Sequence, residues 1–198
     1  MKSLVLFSND LRLNDNEAIC SAIDGFNETS FIFLYDEDLY NSTHGSANLW
    51  WLEKSLKSLK IRLQDKNICL HIVKGEYVSK IVEIASKNDV QSVFLNENKH
   101  PNFIIKEQKL RKELEKINIQ FKSFNNTNLS EPASILNKSG EPYKVYSPFY
   151  KHCKSIYSQN KVFNFPTKPI NTFNINEDSI NTEEIFPKSK NKWSDKLN

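Results

Sequence analysis

Short apolar runs recur along the first two thirds of the chain, and a stretch with helical periodicity separates each from the next. The runs are residues 3–7 (Ser-Leu-Val-Leu-Phe), 30–35 (Ser-Phe-Ile-Phe-Leu-Tyr), 68–73 (Ile-Cys-Leu-His-Ile-Val), 91–95 (Gln-Ser-Val-Phe-Leu) and 118–123 (Asn-Ile-Gln-Phe-Lys-Ser). Apolar runs of this length predict strands. Between them, residues 16–24 read as a short helix with Asp15 as its N-cap. Residues 47–65 read as a long helix, because Leu49, Leu52, Leu56, Leu59 and Leu63 recur at spacings of three and four. Residues 76–87 turn Val78, Ile81, Val82 and Ala85 inward, and residues 102–117 turn Ile105, Leu110, Leu114 and Ile117 toward the sheet. Strands alternating with helices imply right-handed crossovers. The predicted fold is therefore α/β: a Rossmann-like, doubly wound parallel sheet of about five strands with helices on both faces. Continuous apolar strands suit a sheet covered on both sides.

The alternation stops near residue 125. Ser139-Gly140-Glu141-Pro142 is a turn signal, and Ser147-Pro148 opens a short helix that runs to about Ser158. From Val162 onward the chain is Asn, Lys, Pro and acidic residues with isolated Phe. Three units are expected: an α/β domain over 1–130, an extension over 131–160 with a short helix packed on it, and a linker or tail over 161–198. Trp193 is unusual for a plain tail, since an exposed Trp wants a partner surface.

Composition narrows the function classes. With 38% hydrophobic and 12% aromatic residues in 198, the chain is not disordered throughout. No apolar run reaches membrane-spanning length, and the N-terminus lacks a signal-peptide pattern, so a cytoplasmic protein is expected. Net charge is +3, and the only arginines are Arg12, Arg62 and Arg111. Without a dense basic stripe, direct DNA binding by this chain is not expected. Cys20, Cys69 and Cys153 are scattered, as are His44, His71, His100 and His152, so no metal site is expected. There is no Gly-x-Gly-x-x-Gly and no phosphate loop, which argues against a nucleotide-dependent dehydrogenase or kinase.

The loop after the first strand, Phe7-Ser8-Asn9-Asp10-Leu11-Arg12-Leu13-Asn14-Asp15-Asn16, faces the ligand crevice of such a sheet. It resembles the opening motif of the photolyase/cryptochrome family, with Ser8 where an Arg is usual and Leu6 where a Trp is usual. Three further blocks are similar to that family, in order. They are Gly45 through Leu56 with its Trp50-Trp51-Leu52, Phe124-Asn125 through Leu129-Ser130-Glu131-Pro132, and Gly140 through Tyr150 with its Tyr146-Ser147-Pro148-Phe149. Together they cover roughly residues 1–158.

The resemblance implies an N-terminal domain that binds a light-harvesting antenna, a methenyltetrahydrofolate or a deazaflavin or flavin. It implies a larger helical domain that holds FAD, binds DNA and splits pyrimidine dimers after electron donation. The chain stops where the family's linker would enter that helical domain, so FAD is expected only through a partner chain. No catalytic residues are expected here, and the chain alone is expected to be inactive in repair. His44 and Asn102 lie near positions where folate-binding members have pocket residues; the plainer readings are a loop His and an N-cap. Next to Asn102 the family's acidic residue is Phe103. Asp10 and Arg12 would shape the pocket or the contact to the helical domain, or simply pair within the loop. Asp36 and Asp38, closing the second strand, would bond a ligand edge or only water. One of Trp50 and Trp51 is expected in the core, the other over the pocket or the domain interface. Alternatives are a stand-alone small-molecule-binding module, a protein adaptor that docks through Phe163, Phe165 and Trp193, or a remnant without a role.

Overall fold

The computed structural model describes residues 1–125, 128, 135–157, 162–177 and 179–185. Strands β1 (Lys2–Phe7), β2 (Glu28–Tyr35), β3 (Leu70–Lys74), β4 (Val90–Asn96) and β5 (Gln120–Phe124) form one parallel sheet in the order β3-β2-β1-β4-β5. Helices α1 (Glu17–Gly25), α2 (Glu37–Thr43), α3 (Ser46–Gln64), α4 (Tyr77–Lys87) and α5 (Pro101–Lys116) lie in the crossovers, and α6 (Tyr146–Ile156) follows. From Ser3 to Phe7 and from Thr29 to Tyr35 every residue of β1 and β2 is buried, so both faces of the sheet are covered. Ser3 and Thr29 stand opposite each other there and share a hydroxyl hydrogen bond of 2.9 Å, which removes the cost of burying them.

The leucine stripe of α3 is buried as expected, Leu49 through Leu63. Three local readings are corrected. Asn16, not Asp15, caps α1: its Oδ1 accepts the Ile19 N–H at 3.1 Å, while Asp15 sits in the left-handed region at φ 51°. His100, not Asn102, caps α5, its Nδ1 accepting the Asn102 N–H at 3.3 Å. The inward face of α5 is Phe103, Glu107, Leu110 and Leu114, whereas Ile105 is 64% exposed and Ile117 is 41% exposed. Helix α2 is an addition, started by the Asp36 side chain.

The segment anticipated as a linker is a packed strap over its described part. Its buried apolar side chains are Phe173, Ile175 and Ile185, and Thr182 is buried with them. The carbonyl of Asn171 accepts the Thr29 N–H at 2.9 Å, and the carbonyl of Phe173 accepts the Ser30 hydroxyl. Further along, Ile180 donates its N–H to the Ile72 carbonyl at 2.8 Å and Ser179 Oγ accepts the Ile72 N–H at 3.1 Å. The two bonds to Ile72 occupy the outer side of β3, an edge strand whose free backbone groups would otherwise invite another chain, while those to Thr29 and Ser30 are made to β2. Phe163 and Phe165 are half-buried, not exposed on a tail, and Lys66 lies 5.0 Å over the Phe165 ring. The extension's helix, α6, buries none of its residues, contrary to the packed helix expected. Trp193 and the block Leu129–Pro132 fall outside the described residues.

Candidate functional site

Strand order reverses between β1 and β4, and doubly wound sheets take ligands at the carboxyl ends of such a pair. Here that point is filled by the protein's own side chains. Asp10, 6% exposed, accepts the Ser8 N–H on Oδ1 at 3.0 Å and the Asn96 amide on Oδ2 at 2.7 Å. Asn16 adds a longer bond to Oδ2 at 3.4 Å, and its own Oδ1 accepts from Asn96 at 2.8 Å. This lock joins the loop after β1 to the end of β4. Beside it, Tyr40 packs against Phe33, Tyr35, His44 and Phe103, with centroids 5.1–5.5 Å apart. Tyr40 and Tyr77 are fully buried, and burial first, then nearby carboxylates, holds both phenols well above their ordinary range.

The open space lies to one side. A cleft of about 500 Å³ is lined by Asn9, Asp10, Leu11, Arg12, His44, Asn48, Trp51, Leu52 and Ser55. The β1 loop forms one wall, and the end of α2 with the first turns of α3 forms the other. That volume suits a small organic molecule. Arg12 is aimed by its own loop: Nε donates to the Asp15 carbonyl at 2.9 Å and the guanidinium lies 3.8 Å from the Asp15 carboxylate. His44 ends α2, donating its N–H to the Tyr40 carbonyl at 2.8 Å, with Nδ1 2.7 Å from the Thr43 hydroxyl. Burial lowers the pKa of the ring, reinforced by His100 and opposed by the ring's interaction with the Tyr40 backbone, and the net lowering favours the neutral imidazole. Trp51 is 65% exposed and presents its indole to the cleft, while Trp50 is half-buried against the core. Planar aromatic wall, neutral imidazole, amides and one guanidinium make a surface for a flat ring system with polar or anionic edges. Among the described residues, no group of three His, Cys, Asp or Glu is placed to hold a metal ion.

Of the residues singled out from sequence, the cleft brings together Asp10, Arg12, His44 and Trp51. Asp36, Asp38 and Asn102 are not among its lining residues. Asp36 is a structural hub, 4% exposed: Oδ1 accepts the Leu39 N–H at 3.1 Å, and Oδ2 accepts the Tyr77 N–H at 3.0 Å and Lys106 Nζ at 3.2 Å. It thereby ties the starts of α2 and α4 to α5. Lys106 also reaches Glu76 at 2.6 Å; burial would raise the Glu76 carboxyl, but Lys106 and the Ser79 N–H and hydroxyl outweigh it and hold it at about 2. Asp38 is exposed in the first turn of α2. Asn102 donates to the Ser42 hydroxyl at 3.5 Å, a link between α5 and α2. Asn9, Asn48 and Ser55 were not anticipated; Asn48 and Ser55 sit on α3 at positions where helical spacing puts them beside Trp51 and Leu52.

A doubly wound parallel sheet with a cleft at its carboxyl edge and no phosphate loop defines a Rossmann-like α/β domain. The family follows from its sequence: the model described as DNA photolyase matches residues 3–169, and the chain belongs to that family. It is 28% identical over 148 residues to a deoxyribodipyrimidine photo-lyase of Agrobacterium fabrum, covering 75% of this chain and 30% of that protein. Cryptochrome-1 of Arabidopsis thaliana is 24% identical over 155 residues, covering 78% of this chain and 23% of that one. The crystal structure of a bacterial class III photolyase from Agrobacterium tumefaciens superposes with a TM-score of 0.86 at 23% identity, over 98% of this chain and 40% of that chain. The chain spans less than a third of the length of these two curated relatives. Among the described residues, no helix is long and apolar enough to cross a membrane.

Proposed function

We propose that this chain is the antenna domain of a photolyase or cryptochrome and holds a light-harvesting chromophore of the folate or flavin class in the cleft beside β1. The observation that carries this reading is the exposed Trp51 indole over a cleft of about 500 Å³ at the carboxyl edge of the sheet. The domain's task is passive: it fixes a planar chromophore rigidly, and the chromophore supplies the light absorption. Trp51 stacks on the ring, Arg12 faces an anionic edge, and Asn9, Asn48 and neutral His44 bond ring heteroatoms. Dimer splitting belongs to the part of the relatives that this chain does not span, reached through a partner chain or a continuation.

The test is a titration of the dark-purified chain with methenyltetrahydrofolate and with flavin mononucleotide, followed by tryptophan fluorescence and chromophore absorbance. One of them is expected to bind in the micromolar range, and Trp51→Ala to weaken it about tenfold, a loss of about 1.4 kcal/mol. Absence of binding by both ligands at 100 µM sinks the antenna reading.

A further inference from the structure

Helix α6 carries its apolar residues on one face and leaves that face uncovered. Tyr146, Phe149 and Tyr150 lie three and four apart, and Ile156 with the C-cap Tyr157 follows seven residues after Phe149 and Tyr150, two turns on along the same face; their exposures are 71%, 37%, 51%, 43% and 50%. The rings already touch one another: Tyr146 stacks on Tyr150 at 5.8 Å, and Phe149 lies 6.5 Å from Tyr146 and 6.2 Å from Tyr143. Such an ordered aromatic face, rimmed by polar groups, marks an interaction surface. The rim has one sign. From Pro142 to Tyr157 the sequence contains Lys144, Lys151, Lys154 and His152 and no acidic residue.

Two observations say what covers it. First, α6 lies within the 3–169 stretch matched by the DNA photolyase family, and the superposition on the A. tumefaciens photolyase takes in 98% of this chain but only 40% of that one. The helix is thus part of the shared domain, and the larger part of that photolyase stands outside it. Second, the basic rim disfavours a second copy of this chain, because two-fold pairing would set lysines against lysines. We infer that the α6 aromatic face is the docking surface for the remaining part of a photolyase chain, which meets it with an apolar patch bordered by Asp and Glu. This rests on the photolyase reading above and names the contact through which the antenna domain is held.

The experiment mixes the full 198-residue chain with the separately produced remainder of the A. tumefaciens class III photolyase, whose folding is verified by circular dichroism and a cooperative melt. Titration calorimetry is expected to show a complex, weakened at least tenfold by Tyr146→Ser/Phe149→Ser/Tyr150→Ser and weakened by salt. The triple variant is expected to keep its circular dichroism and its chromophore titration, since α6 buries nothing and is distinct from the cleft. If the remainder does not fold alone, the same substitutions go into a chimera in which this chain replaces the matched part. There they are expected to uncouple one melting transition into two. An absent complex, or affinity and melting unchanged by the substitutions, overturns the inference. So does loss of single-stranded DNA binding as the variant's only defect, which would make α6 a nucleic-acid surface. Failure of the antenna reading shows separately, as a cleft that takes no chromophore while docking stands.

Discussion

Helices α3 and α6 are both amphipathic, and α6 separates its apolar and polar residues the more sharply of the two. Yet α3 buries six residues, including the whole leucine stripe, and α6 buries none. The difference lies in what each helix has to lie on. Helix α3 sits in a crossover, so the chain returns it to β3 and the strap closes over it. Helix α6 follows β5, and among the described residues no further strand of the sheet comes after it to bring it back. Amphipathic pattern therefore reports that a face needs a cover, while topology decides whether the same domain provides it. The side chains of these two helices divide along that line: leucines fill the close-packed face of α3, and on the open face of α6 stand tyrosines, which tolerate water at their hydroxyls.

The widest contrast is in stability. Leu56→Ala, at a site with no exposure, is expected to cost about 2–5 kcal/mol by transfer and cavity terms, read by urea denaturation. Tyr146→Ser, at 71% exposure, is expected to stay within about 0.5 kcal/mol. Equal losses at the two positions would break the comparison. The strap comes next: Ile185→Ala, fully buried beneath the Tyr35 hydroxyl bond to its carbonyl, is expected to lose about 2–4 kcal/mol in the same measurement. A negligible loss would return residues 162–185 to the status of a tail.

The smallest effect sharpens the buried side of the comparison. Glu107 faces inward from α5, 8% exposed, and burial, with Glu97 and Asp10 nearby, pushes its carboxyl up to about 7 despite the N–H of Asn98 at 3.2 Å. A carboxyl with a raised native pKa is held protonated by the fold, so its contribution is full below its unfolded value and is lost as pH climbs through about 7. Thermal melts of the parent chain are therefore expected to weaken between pH 5 and 8, by on the order of 1–2 kcal/mol. Glu107→Gln is expected to flatten that slope. An unchanged slope in the variant would mean that Glu107 is ionised at no cost.

Glu107 also explains one part of the fold that sequence did not reveal. A charged residue at an inward position disguised the true face of α5, so Ile105 and Ile117 were assigned to it instead. The strands, the order of elements and the α3 stripe were legible because each rests on several apolar residues in a fixed period. The strap was not, because its Asn-rich stretch has few apolar residues; the alternation of Phe173 and Ile175 was the one available signal. At the cleft, Asp10, Arg12, His44 and Trp51 were legible from the loop and the helix start. Asp36 and Asp10 illustrate the limit: an acid at a strand's carboxyl end binds backbone as readily as ligand, and in both cases backbone N–H groups and neighbouring side chains took the lone pairs.

The strap sets an order of events when the chain is made. Ser30 on β2 waits for Phe173, 143 positions later, and Ile72 on β3 waits for Ser179, 107 positions later. All five strands are synthesised long before β3 receives its guard. Until then a nascent chain carries an open parallel edge, and closing it requires the slowest kind of contact, between segments far apart in sequence. The α/β body can thus reach its final state only when nearly the whole of these 198 residues has left the ribosome.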